Sequence, residues 1–193
     1  MSTKVVTAPV RIGYANIMQP RLNELSGKEE FSAVVLVPKS DAQTVAALKA
    51  AAKAAIEKKF GSTPPKGIKN PLRDGDSPKD DGEPRGDEYA GHWFFNAKSN
   101  AEYKPGVVDK TGKTLEARDA VMSGDTVRLS LNAYAYAAPG NTGVGFGILN
   151  VMLVDNTNRF GEGRSSAADD FGIVTSAAAD FKEPAVAVES DWE

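Results

Sequence analysis

The segment 126–137, TVRLSLNAYAYA, carries the residue types and spacing that best support chemistry. Successive side chains of a β-strand point to opposite faces, so one face of this predicted strand is small and apolar. The other face carries a cation, polar groups and two aromatic rings: Arg128, Ser130, Asn132, Tyr134 and Tyr136. Aromatic rings interleaved with a cation stack unpaired nucleobases while the cation neutralises phosphate. This face therefore predicts binding of single-stranded nucleic acid. Packing of the tyrosines beneath a long loop is the alternative that the pattern leaves open.

Two further segments carry candidate contacts. In the aromatic segment 92–98, HWFFNAK, Trp93 and Phe95 share one face of a predicted strand and Lys98 lies on the other. The sequence does not decide which face is exposed, so all three are candidates. The long polar segment 62–91 contains three cations that could follow a phosphate backbone, with an ordinary solvated loop as the alternative. These cations are Lys66, Lys69 and Arg73.

The sequence patterns that could indicate catalysis or metal binding are weaker than those that indicate nucleic-acid binding. Asp74, Asp76 and Asp80 resemble a calcium loop only superficially, because Pro78 stands where an oxygen ligand is required. A magnesium-dependent nuclease would need the same three carboxylates. The glycines at 143, 145 and 147 lie in a predicted strand, where they favour close backbone approach over phosphate binding. The absence of cysteine and the single histidine exclude thiolate and multi-histidine metal sites. We predict no enzyme, no metal and no cofactor.

The elements that position these residues are mainly strands. Apolar periodicity predicts one helix over about 41–60, with Ser40 as the N-cap, Gln43 completing a capping box and Gly61 as the stop. The turn segment 139–143, PGNTG, predicts a hairpin. Strands are predicted over 5–17, 31–37, 92–98, 126–137 and 144–154. The result is a β-rich domain with one inserted helix.

Charge divides the chain into two parts. The whole chain has 23 basic and 26 acidic residues, which gives a net charge of -3. The 29 residues after Arg164 hold seven acids and one base, so the remainder carries 22 bases and 19 acids. We therefore predict a folded domain over 1–160 and an acidic flexible tail over 161–193. The tail ends in an aromatic among carboxylates that could anchor a partner, or compete with nucleic acid for the same groove: Glu189, Asp191, Trp192 and Glu193. A solubilising appendage is the alternative.

No apolar run approaches the roughly 18 residues of a membrane helix. The first residues, MSTKVV, lack the charged and apolar regions of a secretory signal. The sequence thus predicts a cytoplasmic protein that does not contact a membrane.

The order of several motifs resembles that of the bacteriophage single-stranded DNA-binding proteins of OB-fold type. The motifs are VRIGYANIMQP, FSAVVLVPKS, NPLRDGD, YKPGVVDK and SGDTVRLSLNAYAYAAPGNTGVGFGILNVMLV, which span most of residues 9–154. The resemblance implies a five-stranded barrel and sequence-tolerant binding of unpaired DNA. It also implies an acidic tail that contacts replication or recombination proteins of phage or host. It extends most directly to Arg128, Tyr134 and Tyr136, and more loosely to Arg11, Tyr14, Trp93 and Arg73.

Together these observations predict a non-catalytic protein that coats and protects single-stranded DNA during phage replication or recombination. A β-rich phage structural or assembly protein is the alternative. The sequence leaves open whether the chain is a monomer or a homodimer.

Overall fold

The computed structural model describes residues 2–24, 26–138 and 140–160. The predicted tail, including Trp192 and its acidic neighbours, lies outside the described residues. The described chain is mainly β, with one long helix. Its elements are β1 (Lys4–Val6), β2 (Val10–Asn23), β3 (Lys28–Pro38), α1 (Ala42–Phe60), β4 (Arg73–Asp74), a 3-10 turn (Asp87–Tyr89), β5 (His92–Asn100), β6 (Gly106–Val108), β7 (Thr126–Ala138) and β8 (Asn141–Asp155).

Five of these strands form a closed ring in the order β7–β2–β3–β5–β8, which returns to β7. All neighbours in the ring are antiparallel except β5 and β8, which pair in parallel through Ala97 and Phe146. The short strands β1 and β6 extend the sheet by pairing with β7 and β8. The prediction of a mainly β, OB-like fold with five principal strands is confirmed.

Inward-pointing side chains of the strands fill the inside of the ring and form the core. Val35 of β3, Phe95 of β5 and Leu129 of β7 are fully buried, and the rings of Phe95 and Phe146 lie 4.7 Å apart. Burying an aromatic side chain of this size contributes about 1.5–3 kcal/mol to the free energy of folding. Helix α1 joins this core through Leu48, which is also fully buried. No helix in the described ranges is both long and apolar enough to cross a membrane.

The helix begins one residue later than its capping box predicted. The Asp41 side chain accepts a hydrogen bond from the Thr44 amide at 3.0 Å, so Asp41 is the N-cap and Ser40 is not. Both residue types suit this position, and the spacing of three residues to Gln43 favoured the wrong one. The predicted stop at Gly61 is confirmed, because its amide donates to the Glu57 carbonyl with φ at +68°.

The first predicted strand is in fact two strands. It is interrupted at 7–9, where Pro9 supplies no amide donor. Strand β2 then runs beyond the predicted end at residue 17 and is irregular between Gly13 and Asn16. Tyr14 sits in this irregularity with φ at +47°, the one non-glycine residue of the described chain with a positive φ, and it is 69% exposed. Val6 and Tyr14 are exposed whereas Val10 and Ile12 are buried, so a single alternation does not run through the predicted strand.

Candidate nucleic-acid interface

Tyr134 and Tyr136 lie on the outer face of β7, directly opposite Gly145 and Gly143 of β8. A Cβ atom on Gly145 would stand 2.7 Å from the Tyr134 ring, and one on Gly143 would stand 2.6 Å from the Tyr136 hydroxyl. The strand glycines thus let both rings lie across the neighbouring strand, and the close approach is made by side chains rather than by the predicted backbone. The two ring centroids are 6.5 Å apart.

Two lysines flank these rings. The Lys69 amide donates to the Thr142 carbonyl at 3.0 Å, which ties the loop beside Gly143. Lys98 stands opposite Gly147 in the parallel pair, and its ammonium group contacts the Glu30 carboxylate at 2.6 Å. We call Tyr134, Tyr136, Lys69 and Lys98 the tyrosine face.

Tyr134 is 43% exposed at this face. Burial of the rest of the side chain raises the pKa of its phenol, and Tyr136 and Glu30 raise it further. The phenol is therefore neutral at physiological pH and presents a ring without adding negative charge.

Arg128 lies far from Tyr134 and Tyr136, although the sequence placed all three on one face of the strand. Six residues of extended strand span about 20 Å, and the Arg128 guanidinium donates to the Thr7 carbonyl at 3.1 Å beside β1. Asn132 lies nearer the tyrosines, but its side-chain oxygen accepts from the Thr3 hydroxyl at 2.9 Å. Lys66 is exposed in the loop that follows α1.

Burial decides which face of β5 is available. Phe95 has no exposed surface and packs on Phe146, so its predicted role as a DNA contact is wrong. Trp93 lies on the same inner face, half-buried against the core. The ammonium groups of Lys39 and Lys49 stand 5.3 and 5.5 Å from its ring centroid. Trp93 is therefore separated from the tyrosine face by the sheet.

The outer face of β5 carries a second cluster that the sequence reasoning found only in part. Phe94 is 2% exposed although it points away from the main core. The Arg73 and Arg85 guanidiniums lie 4.3 and 4.7 Å from its ring centroid, and the Tyr89 ring meets it edge-on at 4.8 Å. We call Arg73, Arg85, Tyr89 and Phe94 the arginine cluster.

Of this cluster, only Arg73 was a candidate from sequence. Arg85 and Tyr89 belong to the long polar loop, which has no periodicity to predict where its side chains fold back. The available signal was the presence of two arginines and a tyrosine in a loop that is rich in proline and leads directly into an aromatic strand.

The loop is held at its base by ion pairs. The Lys39 ammonium lies 2.5 Å from Asp74 and 2.6 Å from Asp76, and Asp76 also accepts from the Gly91 amide at 2.7 Å. These contacts raise the pKa of Lys39 and lower the pKa values of both carboxyl groups. The Lys39 ammonium group thus pairs with two of the three carboxylates, Asp74 and Asp76, that a magnesium-dependent nuclease would need for its metal. Within the described residues, no group of three or more His, Cys, Asp or Glu is placed to hold a metal ion.

Beside the arginine cluster lies a slot of about 330 Å³. Tyr14, Tyr89 and Phe160 line it together with Val34 and Leu36 from the outer face of β3. A wider groove of about 630 Å³ lies on the other side of Phe160. The slot and the groove share Ser123 and Phe160 as lining residues.

Arg11 and Arg159 fix the position of Phe160. The Arg11 guanidinium lies 4.4 Å from the Phe160 ring centroid and donates to the Asn158 carbonyl at 2.9 Å. Arg159 pairs with the fully buried Asp125 at 2.8 Å. Arg11 therefore lies near the slot, where it contacts Phe160 of the same chain. The sequence did not predict this contact.

The chain was compared with known proteins. A family model described as the ssDNA-binding protein of Enterobacter phage Enc34 matches residues 3–182. Protein p50 of Acyrthosiphon pisum secondary endosymbiont phage 1 is 27% identical over 178 residues, which is 87% of this chain and 92% of that protein.

Solved structures show a similar fold. The single-stranded DNA-binding protein from bacteriophage Enc34, in complex with ssDNA, superposes with a TM-score of 0.67 at 20% identity, over 82% of this chain and 90% of that one. Bacteriophage T7 gp2.5, a single-stranded DNA-binding protein, superposes with a TM-score of 0.52 at 16% identity, over 84% and 97%.

Proposed function

The chain belongs to the family of the Enterobacter phage Enc34 ssDNA-binding protein, and on that premise we propose that it binds single-stranded DNA without altering it chemically. The observation that carries the proposal is the tyrosine face. Two rings lie on an exposed sheet surface over glycines, with a lysine beside them. Rings in this arrangement stack bases of any sequence, because every base has a π-face.

The DNA path that we propose runs along the outer faces of β5, β8 and β7. Lys69 at the tyrosine face and Arg73 in the arginine cluster are four residues apart on one loop, about 13 Å if extended. Cations at both ends of the path contact phosphates, while Tyr134 and Tyr136 take bases. Lys98 contributes from the tyrosine face, and we propose Asn132, Lys66 and the more distant Arg128 as further contacts. Affinity then falls as salt rises, because bound counterions are released from the DNA.

In the infected cell, we propose that the protein coats and protects single-stranded DNA during replication or recombination in the host cytoplasm. The acidic residues of 161–193 support a second role for that segment. It would compete with DNA for the cationic path and recruit replication or recombination proteins through Trp192. The net charge of the segment after Arg164, seven acids against one base, is the basis for this proposal.

The test compares a single-stranded oligonucleotide with its duplex by gel shift at two salt concentrations. Preference for the single strand, with weaker binding at the higher salt, supports the proposal. Absent or salt-insensitive binding, together with large assemblies in light scattering, would instead indicate a structural or assembly protein. Light scattering of the DNA-free protein also distinguishes a monomer from a homodimer.

A further inference from the structure

We propose that the arginine cluster and the adjoining slot form one nucleotide subsite. Arg73 and Arg85 bind a phosphodiester group, and the neighbouring base inserts between Tyr14 and Tyr89. The inference rests on the proposed function, because it assigns one nucleotide of the bound single-stranded DNA to this place.

The two guanidiniums provide the anion site. Each lies within 5 Å of the Phe94 ring centroid, so their central carbons are at most about 9 Å apart. Within the described residues, the side chain of Arg73 makes no hydrogen bond or ion pair, although its backbone pairs with Phe94 of β5. The Arg85 side chain donates only to the carbonyls of Ser77 and Pro78. Burial first, and then the charge of Arg85, lower the pKa of Arg73, while Tyr89 and Asp80 act in the opposite direction. Two neighbouring cations that form no ion pair with a carboxylate are stabilised by an anion, and the planar guanidinium fork matches phosphate.

The slot provides the base site. Val34, Leu36, Tyr14 and Tyr89 line it, and Glu88 lines it beside them. Burial first, and the neighbouring Tyr14 second, raise the pKa of the Tyr89 phenol. Tyr14 projects from the sheet because its backbone has a positive φ, a conformation that is costly for tyrosine and clusters at functional sites.

Tyr89 connects the two halves. Its ring meets Phe94 edge-on in the arginine cluster and also lines the slot. Gly75 lets the Tyr89 backbone pass close to the loop, because a Cβ there would stand 2.0 Å from the Tyr89 carbonyl oxygen. With Asp76 bound to Lys39 and to the Gly91 amide, the loop presents Arg85 and Tyr89 already positioned for a ligand.

The phosphate half is tested by the salt dependence of oligo-dT binding in the full-length protein. Each lost phosphate contact reduces the slope of log affinity against log salt by about 0.7 for single strands. We expect R73A and R85A to show this loss and to bind about tenfold more weakly, as for a charge-assisted hydrogen bond. K110A removes an equal charge from a distant exposed turn and should keep the slope. R85K retains the charge and should also keep the slope, with weaker binding.

The base half is tested with an abasic oligonucleotide of the same length. Y89A should weaken oligo-dT binding about fivefold or more and leave abasic binding unchanged, whereas R73A weakens both. Thermal unfolding of each variant verifies that it is folded. If the wild type binds with a normal salt slope and the folded arginine variants match it, the subsite is refuted while the proposed function stands. If the wild type does not bind single-stranded DNA, the proposed function itself fails.

Discussion

Replacing both Tyr134 and Tyr136 with alanine is the most direct test of the tyrosine face. The change removes two rings that lie over Gly145 and Gly143 and leaves the core side of β7 intact. Because Tyr134 is 43% exposed and Tyr136 half-buried, we expect the double variant to fold.

The size of the effect follows from what each ring contributes. A base stacked on an aromatic side chain is worth about 1–3 kcal/mol. At the lower limit, two rings supply about 2 kcal/mol, which corresponds to roughly 30-fold in affinity. If the less exposed Tyr136 contributes only part of this, the loss is still about tenfold.

The assay is fluorescence anisotropy with labelled oligo-dT at fixed salt. Y134F/Y136F is the matched control, since phenylalanine keeps the stacking surface and should bind almost as tightly as the wild type. Circular dichroism and thermal unfolding confirm that each variant is folded. Unchanged affinity of a folded Y134A/Y136A protein would refute the assignment of this face.

Three other expectations follow from the structure and the charge pattern. Truncation after Arg164 should tighten DNA binding at about 20–50 mM salt, where charges are weakly screened, and equal affinities would exclude competition by the tail. G75A forces the Tyr89 carbonyl to move; overpacking costs about 1–3 kcal/mol, so thermal unfolding should show a melting temperature lower by about 2–12 °C, whereas an unchanged one would contradict the close contact. The carboxyl groups that Lys39 pairs have lowered pKa values, so their stabilisation is complete above pH 3.8 and is lost as pH falls through the still lower folded-state values. Trp93 fluorescence in a W192F variant should therefore stay constant from pH 7 to about 4 and change only below it; a transition near neutral pH would rule out these pairs as the attachment of the loop.

Strands and helix could be predicted from sequence because their periodicity reflects one continuous core. The alternation on β7 identified both its buried face and its outer face. The glycines of β8 admit two tyrosine rings, whereas the sequence predicted a close approach of backbone. The same rule failed on β5, since Phe94 and Phe95 are both buried. Phe95 lies in the core and Phe94 lies beneath the long loop, so both are buried. Burial therefore does not alternate along this part of β5.

The arginine cluster could not be predicted for a related reason. Arg85 and Tyr89 reach Phe94 only because Lys39 and Gly75 fix the base of the loop, and such contacts between distant residues leave no local pattern. The exposed position of Tyr14 could not be predicted either, because nothing in the sequence marks the irregularity of β2. In both places the candidate site depends on backbone departures from regular structure, where periodicity carries no information.

The closed ring has a consequence for the order of folding. Strand β7 pairs with β1 and β2 from the beginning of the domain and with β8 from its end. The pairing of Val10 with Val127 joins positions with most of the domain between them. Because closing so long a loop costs entropy, we expect this pairing to form late in folding. During synthesis, β2 and β3 can pair as a hairpin early, but the ring remains open until both β7 and β8 have left the ribosome. A chain that ends before β7 should therefore leave β2 with an unpaired edge and aggregate.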